Sequence, residues 1–352
     1  MNSVNIVSHD SLMAQRRRET RDVRLPFEFN GKECFVETKM VNGEMEQIEL
    51  DKPIGEMLTT AENLYDLVEK TVVDLQLGRE AVPLVYKPIY RTVENRKLTS
   101  SVKIKNFVGA QCVFVAKLEG EEVQFGTRLV QGPDTIPIVT YAAGFEWSED
   151  MVEYDETWEA SEASRSMGEA YNAKLNHMHL YPIISYASYG TAGSTNAVTS
   201  YSTRWENIRQ SIQNGLEDAY SYRNTVTGHR RMPTIMLCGG KNRWDVEQAI
   251  GQFQSKATVY PALGNIDTLI FYDGWAITMD GITTTYDGVG STECFLIEPK
   301  RYFVELIKHD LLISAQAGDL HRLVERTVVG RARRGVVTSI GESVQRVILP
   351  TS

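Results

Sequence analysis

The chain has 352 residues, of which 42% are hydrophobic and 24% charged, enough apolar content for two or three packed units with a sizeable core. No apolar run reaches 18 residues and no secretory pattern opens the chain, so a membrane span and an export signal are not expected, and the protein should be made and kept in a cytoplasm. A net charge of -9 argues against a dedicated nucleic-acid binder, which needs a basic surface to neutralise phosphates, but allows a protein that surrounds nucleic acid without gripping it.

In chain order, residues 1–30 show no clear periodicity and carry a basic knot of Arg16, Arg17, Arg18, Arg21 and Arg24. This reads as an extended arm, ordered by lying on another subunit. Glu33 to Leu50 holds Asn42-Gly43 between two strand-like runs, a two-residue hairpin signal. Thr60 opens a helix with Leu64, Leu67, Val68, Val72 and Leu75 on one face, and Gly78 suits the C′ position beyond its end. Pro83 and Pro88 then break the chain, making Val82 to Val93 an extended connection. A second hairpin follows: Cys112–Leu118, a polar turn at Glu119–Glu122, and an alternating run from Val123. A lone hairpin is marginal in water, so this one should rest on a neighbour.

Ile136 to Phe145 reads as a strand leading into the longest helical signal, from Trp147 to Pro182. Trp147, Met151, Tyr154, Trp158, Met167, Tyr171, Leu175 and Met178 form its stripe, Ser148 is a suitable N-cap, and Pro182 marks its end. Such a helix would be roughly 50 Å long and serve as a spine. Further on come a helix at Thr203–Tyr220, a buried strand at Pro233–Cys238, and a helix at Arg243–Phe253 with Trp244 on its apolar face. Strands follow at Leu269–Tyr272, Ala276–Met279 and Cys294–Ile297. Leu323–Val329 and Gly335–Leu349 alternate well enough to add strands beside the spine.

Chemistry-bearing patterns are sparse. Cys34, Cys112, Cys238 and Cys294 lack any C-x-x-C pair and read as reduced core thiols. Gly239-Gly240-Lys241 runs into Asn242 and fails the phosphate-loop pattern. The acidic run Glu146, Glu149, Asp150, Glu153, Asp155, Glu156, Glu159 and Glu162 alternates with the apolar stripe, so its carboxylates point away from a desolvated site. It reads as an acidic face that repels DNA or pairs with basic segments of neighbours, such as the N-terminal arginines or Arg331, Arg333 and Arg334. His177 and His179 sit about 200° apart on a helix and cannot share one ion. No catalytic residue, metal site or cofactor is assigned.

An arm, a long hairpin, the strand Ile136-Pro137-Ile138-Val139-Thr140-Tyr141 and the run Phe145-Glu146-Trp147-Ser148-Glu149-Asp150 into a long helix resemble the major capsid proteins of tailed bacteriophages. These have the Hong Kong 97-like fold, shared with encapsulin nanocompartments. The resemblance covers about residues 100–352 and implies an α+β chain. It would comprise an N-terminal arm (1–105), an extended loop (106–135), a peripheral domain with the spine helix (136–187), an axial domain (188–320) and closing peripheral strands (321–352). It implies pentamers and hexamers of an icosahedral shell around double-stranded DNA bound without sequence specificity. The shell would form a virion built in the host cytoplasm, with scaffold, portal and decoration proteins as possible partners and no membrane. Candidate intersubunit contacts are Arg16, Arg17, Arg18, Arg21, Arg24, Lys117, Glu149, Glu153, Glu156, Arg331, Arg333 and Arg334. Some relatives crosslink a loop lysine, here matched by Lys117, to an asparagine of a neighbour's peripheral domain. The last asparagine here is Asn265, so the closing strands offer no acceptor and a non-covalent shell is expected. An encapsulin-like compartment and a carboxylate- or metal-dependent enzyme are the alternatives.

Overall fold

The computed structural model describes residues 4–16, 20–29, 31–41, 44–45, 61–104, 107–111, 127–130, 134–148, 157–189, 193–223, 229–251, 253–255, 258–260, 263, 265–279, 282–317 and 324–351. The first third runs β1 (Asn5–Val7), α1 (His9–Arg16), β2 (Arg21–Phe29), β3 (Lys32–Val41), β4 (Glu44–Met45), α2 (Ala61–Ala81) and β5 (Arg91–Glu94). Next come β6 (Ser101–Ile104), β7 (Phe107–Gln111), β8 (Thr127–Val130), β9 (Asp134–Pro137), β10 (Val139–Ser148) and α3 (Thr157–Ile184). The chain continues through β11 (Ser194–Thr195), α4 (Arg204–Ser221), β12 (Ile235–Cys238), α5 (Arg243–Ile250), β13 (Phe253–Ser255), β14 (Thr258–Tyr260) and β15 (Thr268–Phe271). It closes with β16 (Gly274–Met279), β17 (Ile282–Asp287), β18 (Glu293–Ile297), β19 (Phe303–Ala317), β20 (Val324–Thr338), α6 (Ile340–Ser343) and β21 (Val344–Ile348).

Two sheets organise these elements. One has seven strands, in the order β10-β20-β19-β2-β3-β4 with β5 also on β19. Its centre is the antiparallel pair β19–β20, each strand 15 residues and so about 50 Å long. Helices α2 and α3 cover one face, where Val68, Val72, Leu75 and Met167 meet Phe27, Val36, Ile313 and Val328. The second sheet is mixed, in the order β1-β15-β12-β18-β21-β11. Its central strands Ile235–Cys238, Thr268–Phe271 and Glu293–Ile297 are almost continuously apolar and buried on both faces, as strands covered on two sides require. Helices α4 and α5 cover one face through Ile208, Ile212, Leu216 and Val246. The C-terminal half of α3 reaches the other, packing Leu175, Leu180 and Ile183 against Leu237, Ile270, Phe295 and Ile297. The long helix therefore touches both sheets.

Several expectations are corrected. The arm is ordered on its own chain: β1 pairs parallel with β15, Asp10 lies 3.3 Å from Arg243, and β2 and β3 form a hairpin turning at Gly31, whose φ is +74°. β3 and β4 do pair on either side of Asn42-Gly43, with Val41 opposite Glu44; the turn itself and the rest of that hairpin to Leu50 lie outside the described residues. β7 and β8 pair at the base of the second hairpin, while Cys112 to Gly126 lie outside the described residues.

The long helix begins at Thr157, not Trp147, and at 28 residues spans about 42 Å. Trp147 and Ser148 end β10, so Ser148 is not an N-cap, and Trp158 is 69% exposed instead of lying on the buried stripe. Pro182 sits in the last turn, where only one backbone bond is forfeited, and the helix ends two residues later. Gly78 lies inside α2 rather than beyond its end, because the helix runs on to Ala81. Its role is a close crossing: a Cβ on Gly78 would fall on the carbonyl of Arg165, and one on Gly168 would fall on the carbonyl of Leu75. Reciprocal glycines let the two backbones touch. Helix α5 stops at Ile250, with Phe253 in β13 and Trp244 81% exposed. Among the C-terminal strands β20 joins the seven-stranded sheet, but β21 pairs with β18 in the other sheet, so the chain does not close entirely beside the long helix.

Candidate assembly surfaces

Among the described residues a dense polar cluster lies where α3 crosses β19 and β20. On a regular strand Glu305 and Asp310, five residues apart, would face opposite sides. Register shifts between Ile307 and His309 and between His309 and Leu312 bring both onto the face that carries Arg334. The Arg334 guanidinium donates to Glu305 and to Asp310, and its Nε donates to the Tyr171 hydroxyl at 3.0 Å. Tyr86 donates to Glu305 at 2.9 Å, Tyr171 donates to Asp310 at 2.9 Å, and Arg79 stands 3.4 Å from Asp310. The His179 ring stacks on Tyr86 at 3.7 Å and places Nε2 3.3 Å from Glu305.

Burial alone would raise the Glu305 carboxyl. The neighbouring His179, with Arg334 and Tyr86, instead holds it at about 2. Asp310 is likewise held well below the usual carboxylate range: Arg79 and Arg334 outweigh its desolvation. Burial opposes the charge on Arg334, but Tyr171, Asp310 and Glu305 keep the guanidinium more basic than usual. This network has no nucleophile paired with a base. It fastens the long helix and the segment after α2 to the two longest strands.

Arg334 is therefore not an intersubunit contact: 3% exposed, it is consumed inside its own chain. Arg331 lies on the solvent face and reaches Glu28 of the same chain at 2.5 Å, and Arg333 is also exposed. Arg24 lies 3.6 Å from Glu37 and 4.1 Å above the Phe35 ring. Arg16 ends α1 and Arg21 starts β2. Arg17, Arg18, Lys117, Glu149, Glu153 and Glu156 lie outside the described residues. The described residues thus bring only part of the basic set together, on one face of the seven-stranded sheet. Among them no group of three or more His, Cys, Asp or Glu side chains is placed to hold a metal, and no helix is long and apolar enough to cross a membrane.

Two features have no counterpart in the linear reading. The β16–β17 hairpin is fastened to α3 by an aromatic stack: His177 lies 4.6 Å from Tyr286, which lies 5.6 Å from Trp275, with Lys174 5.1 Å from the Tyr286 ring. Desolvation, then the Lys174 charge, pushes His177 below its ordinary value. Strand β10 is the other feature. It forms an edge of the seven-stranded sheet, and every side chain described in it is exposed or half-exposed.

A long helix laid across two 15-residue strands and a second mixed sheet at its C-terminal end make up the described architecture. No protein-family model and no curated protein matches the sequence. Among solved structures, the capsid of cyanophage P-SCSP1u superposes with a TM-score of 0.51 at 11% identity, covering 77% of this chain and 89% of that one. A virus-like particle from Pyrococcus furiosus gives a TM-score of 0.49 at 11% identity over 79% of this chain and 98% of that one. The capsid of Myoviridae phage XM1 gives 0.46 at 14% identity over 74% and 90%. The chain has the α+β Hong Kong 97-like capsid fold.

Proposed function

We propose that this protein is the major capsid subunit of a tailed bacteriophage, assembling through pentamers and hexamers into an icosahedral shell around double-stranded DNA. The observation that carries the reading is the shared architecture with the cyanophage capsid over 89% of that chain, since fold at this identity reports structure and the function comes by proposal. In this reading the seven-stranded sheet and α3 are the peripheral domain, the six-stranded sheet is the axial domain, and β6–β9 are the stem of the extended loop. The shell holds together without covalent crosslinks, and scaffold, portal and decoration proteins are its partners. The net charge of -9 suits a container that encloses DNA without gripping its phosphates. Assembly takes place in the host cytoplasm and the subunit ends in the virion. Sedimentation velocity on the purified protein tests this: megadalton particles are expected, and a single species near the 39.7 kDa subunit mass under all assembly conditions would reject it.

A further inference from the structure

Strands β12 and β18 are neighbours at the centre of the six-stranded sheet, and their antiparallel register sets Cys238 directly opposite Cys294. Opposed residues send their side chains to the same face, with Cα atoms roughly 4.5–5.5 Å apart, inside the ~4.4–6.8 Å that a disulfide spans. Here that face is the apolar layer under α4 and α5, shared with Met236, Val246 and Leu296. Both cysteines are free and fully buried. Burial, then the Cys294 thiol beside it, pushes Cys238 well above its ordinary value, so the pair rests as two thiols and not as a reactive thiolate.

We infer that Cys238 and Cys294 are a latent crosslink, closed into a cross-strand disulfide by a small neutral oxidant of the peroxide class. The register supplies the geometry, and the place of the pair in the ladder supplies the access. Cys238–Cys294 is the last rung of the β12–β18 pairing, and beyond Cys238 the chain leaves the sheet through Gly239 and Gly240. Opening this rung leaves Ile235, Met236 and Leu237 paired, a local fraying that admits a small reagent without unfolding the subunit. Hydrogen peroxide converts the thiol it reaches first to a sulfenic acid and releases one water. The opposed sulfur gives up its proton and attacks the sulfenic sulfur; the S–S bond forms, and the hydroxyl leaves with that proton as a second water. Two thiols and one peroxide thus become one disulfide and two waters. Because the second sulfur is already in place, capture is intramolecular and outruns further oxidation of the first. The closed bond ties two central strands together across the long segment between them and so restricts the unfolded chain. In a shell built in a reducing cytoplasm, closure follows release into an oxidising medium; that timing rests on the shell reading, whereas the chemistry does not.

Oxidation of the full chain with hydrogen peroxide, as unassembled subunit and as particles, tests the pair, with N-ethylmaleimide added in denaturant to cap the thiols that remain. Peptide mapping should find Cys238 joined to Cys294 within one chain and no maleimide on either. The urea midpoint of unfolding should shift upward, and dithiothreitol should reverse both changes. Cys294→Ala should abolish the link and the shift. Cys34→Ser with Cys112→Ser should keep them, and if that variant fails to fold, mapping of the unsubstituted chain reads the linkage directly. Full maleimide capping of both thiols after oxidation would overturn the inference, as would a sulfinic acid at Cys238 beside a free Cys294, or a link formed only between chains. Assembly plays no part in this readout, so failure to form particles would overturn the shell reading alone.

Discussion

Replacing Arg334 by methionine separates an internal fastener from an intersubunit contact. The Arg334 and Glu305 side chains are 4% and 2% exposed, so the substitution leaves a carboxylate buried beside Asp310 without its guanidinium. Removing one partner of a buried ion pair typically costs about 3–5 kcal/mol, because the remaining charge has no water to return to. The Glu305 carboxyl is lowered from an ordinary 4.5 to about 2, roughly 3 kcal/mol of preferential stabilisation of the charged form, which His179, Arg334 and Tyr86 share. Because the folded value is depressed, that stability is complete above the ordinary carboxylate value and is lost as pH falls from there through about 2. Equilibrium urea unfolding of the unassembled subunit should show Arg334→Met destabilised by about 3–5 kcal/mol at neutral pH. Adding Glu305→Gln should return part of the loss. A change below about 1 kcal/mol, the range of an exposed pair, would show that Arg334 is not consumed within its own chain.

Gly168→Ala drives a Cβ into the Leu75 carbonyl and should destabilise the subunit by about 1–3 kcal/mol, measured by the same unfolding; an unchanged midpoint would contradict the close crossing of α2 and α3. His177→Ala removes the ring between Tyr181 and Tyr286, and amide exchange of residues 274–287 should quicken by an amount equivalent to about 0.5–1.5 kcal/mol. Trp244→Ala, at an 81% exposed position, should shift unfolding by less than about 0.5 kcal/mol, so any loss of particles would report assembly. Glu153→Lys with Glu156→Lys should leave the subunit folded but impair assembly, and normal particles would remove the acidic run from the contact set.

The features most legible in the sequence were those with one physical cause. Ile235–Cys238 and Glu293–Ile297 are apolar runs bounded by turns, and burial on both faces leaves such strands no alternative. Leu67, Val68, Val72 and Leu75 likewise announce α2, because a helix on a sheet needs one stripe. Gly78 was misleading because a glycine ending a helix and a glycine admitting a second backbone look alike until the second helix is in place. The stripe drawn from Trp147 to Trp158 had the right spacing, yet pairing of β10 with β20 claims Trp147 for a strand and Trp158 faces solvent.

Arg331, Arg333 and Arg334 look equivalent in a row, but strand alternation separates them. Val328, Gly330, Ala332 and Arg334 share the buried face, while Arg331 and Arg333 face out. That parity was readable from the run Val328-Val329-Gly330-Arg331-Ala332-Arg333-Arg334 once it was taken as a single strand. The sheet that admits β21, and the bulges that bring Glu305 and Asp310 to one cation, depend on partners in other strands and carry no local mark.

Electron cryomicroscopy of the purified protein tests the central claim most directly. Closed icosahedral particles are expected, with this fold repeated around five-fold and six-fold positions and α3 lying in the shell wall. A field of dispersed single subunits, or a small closed ring that never curves into a shell, would contradict it.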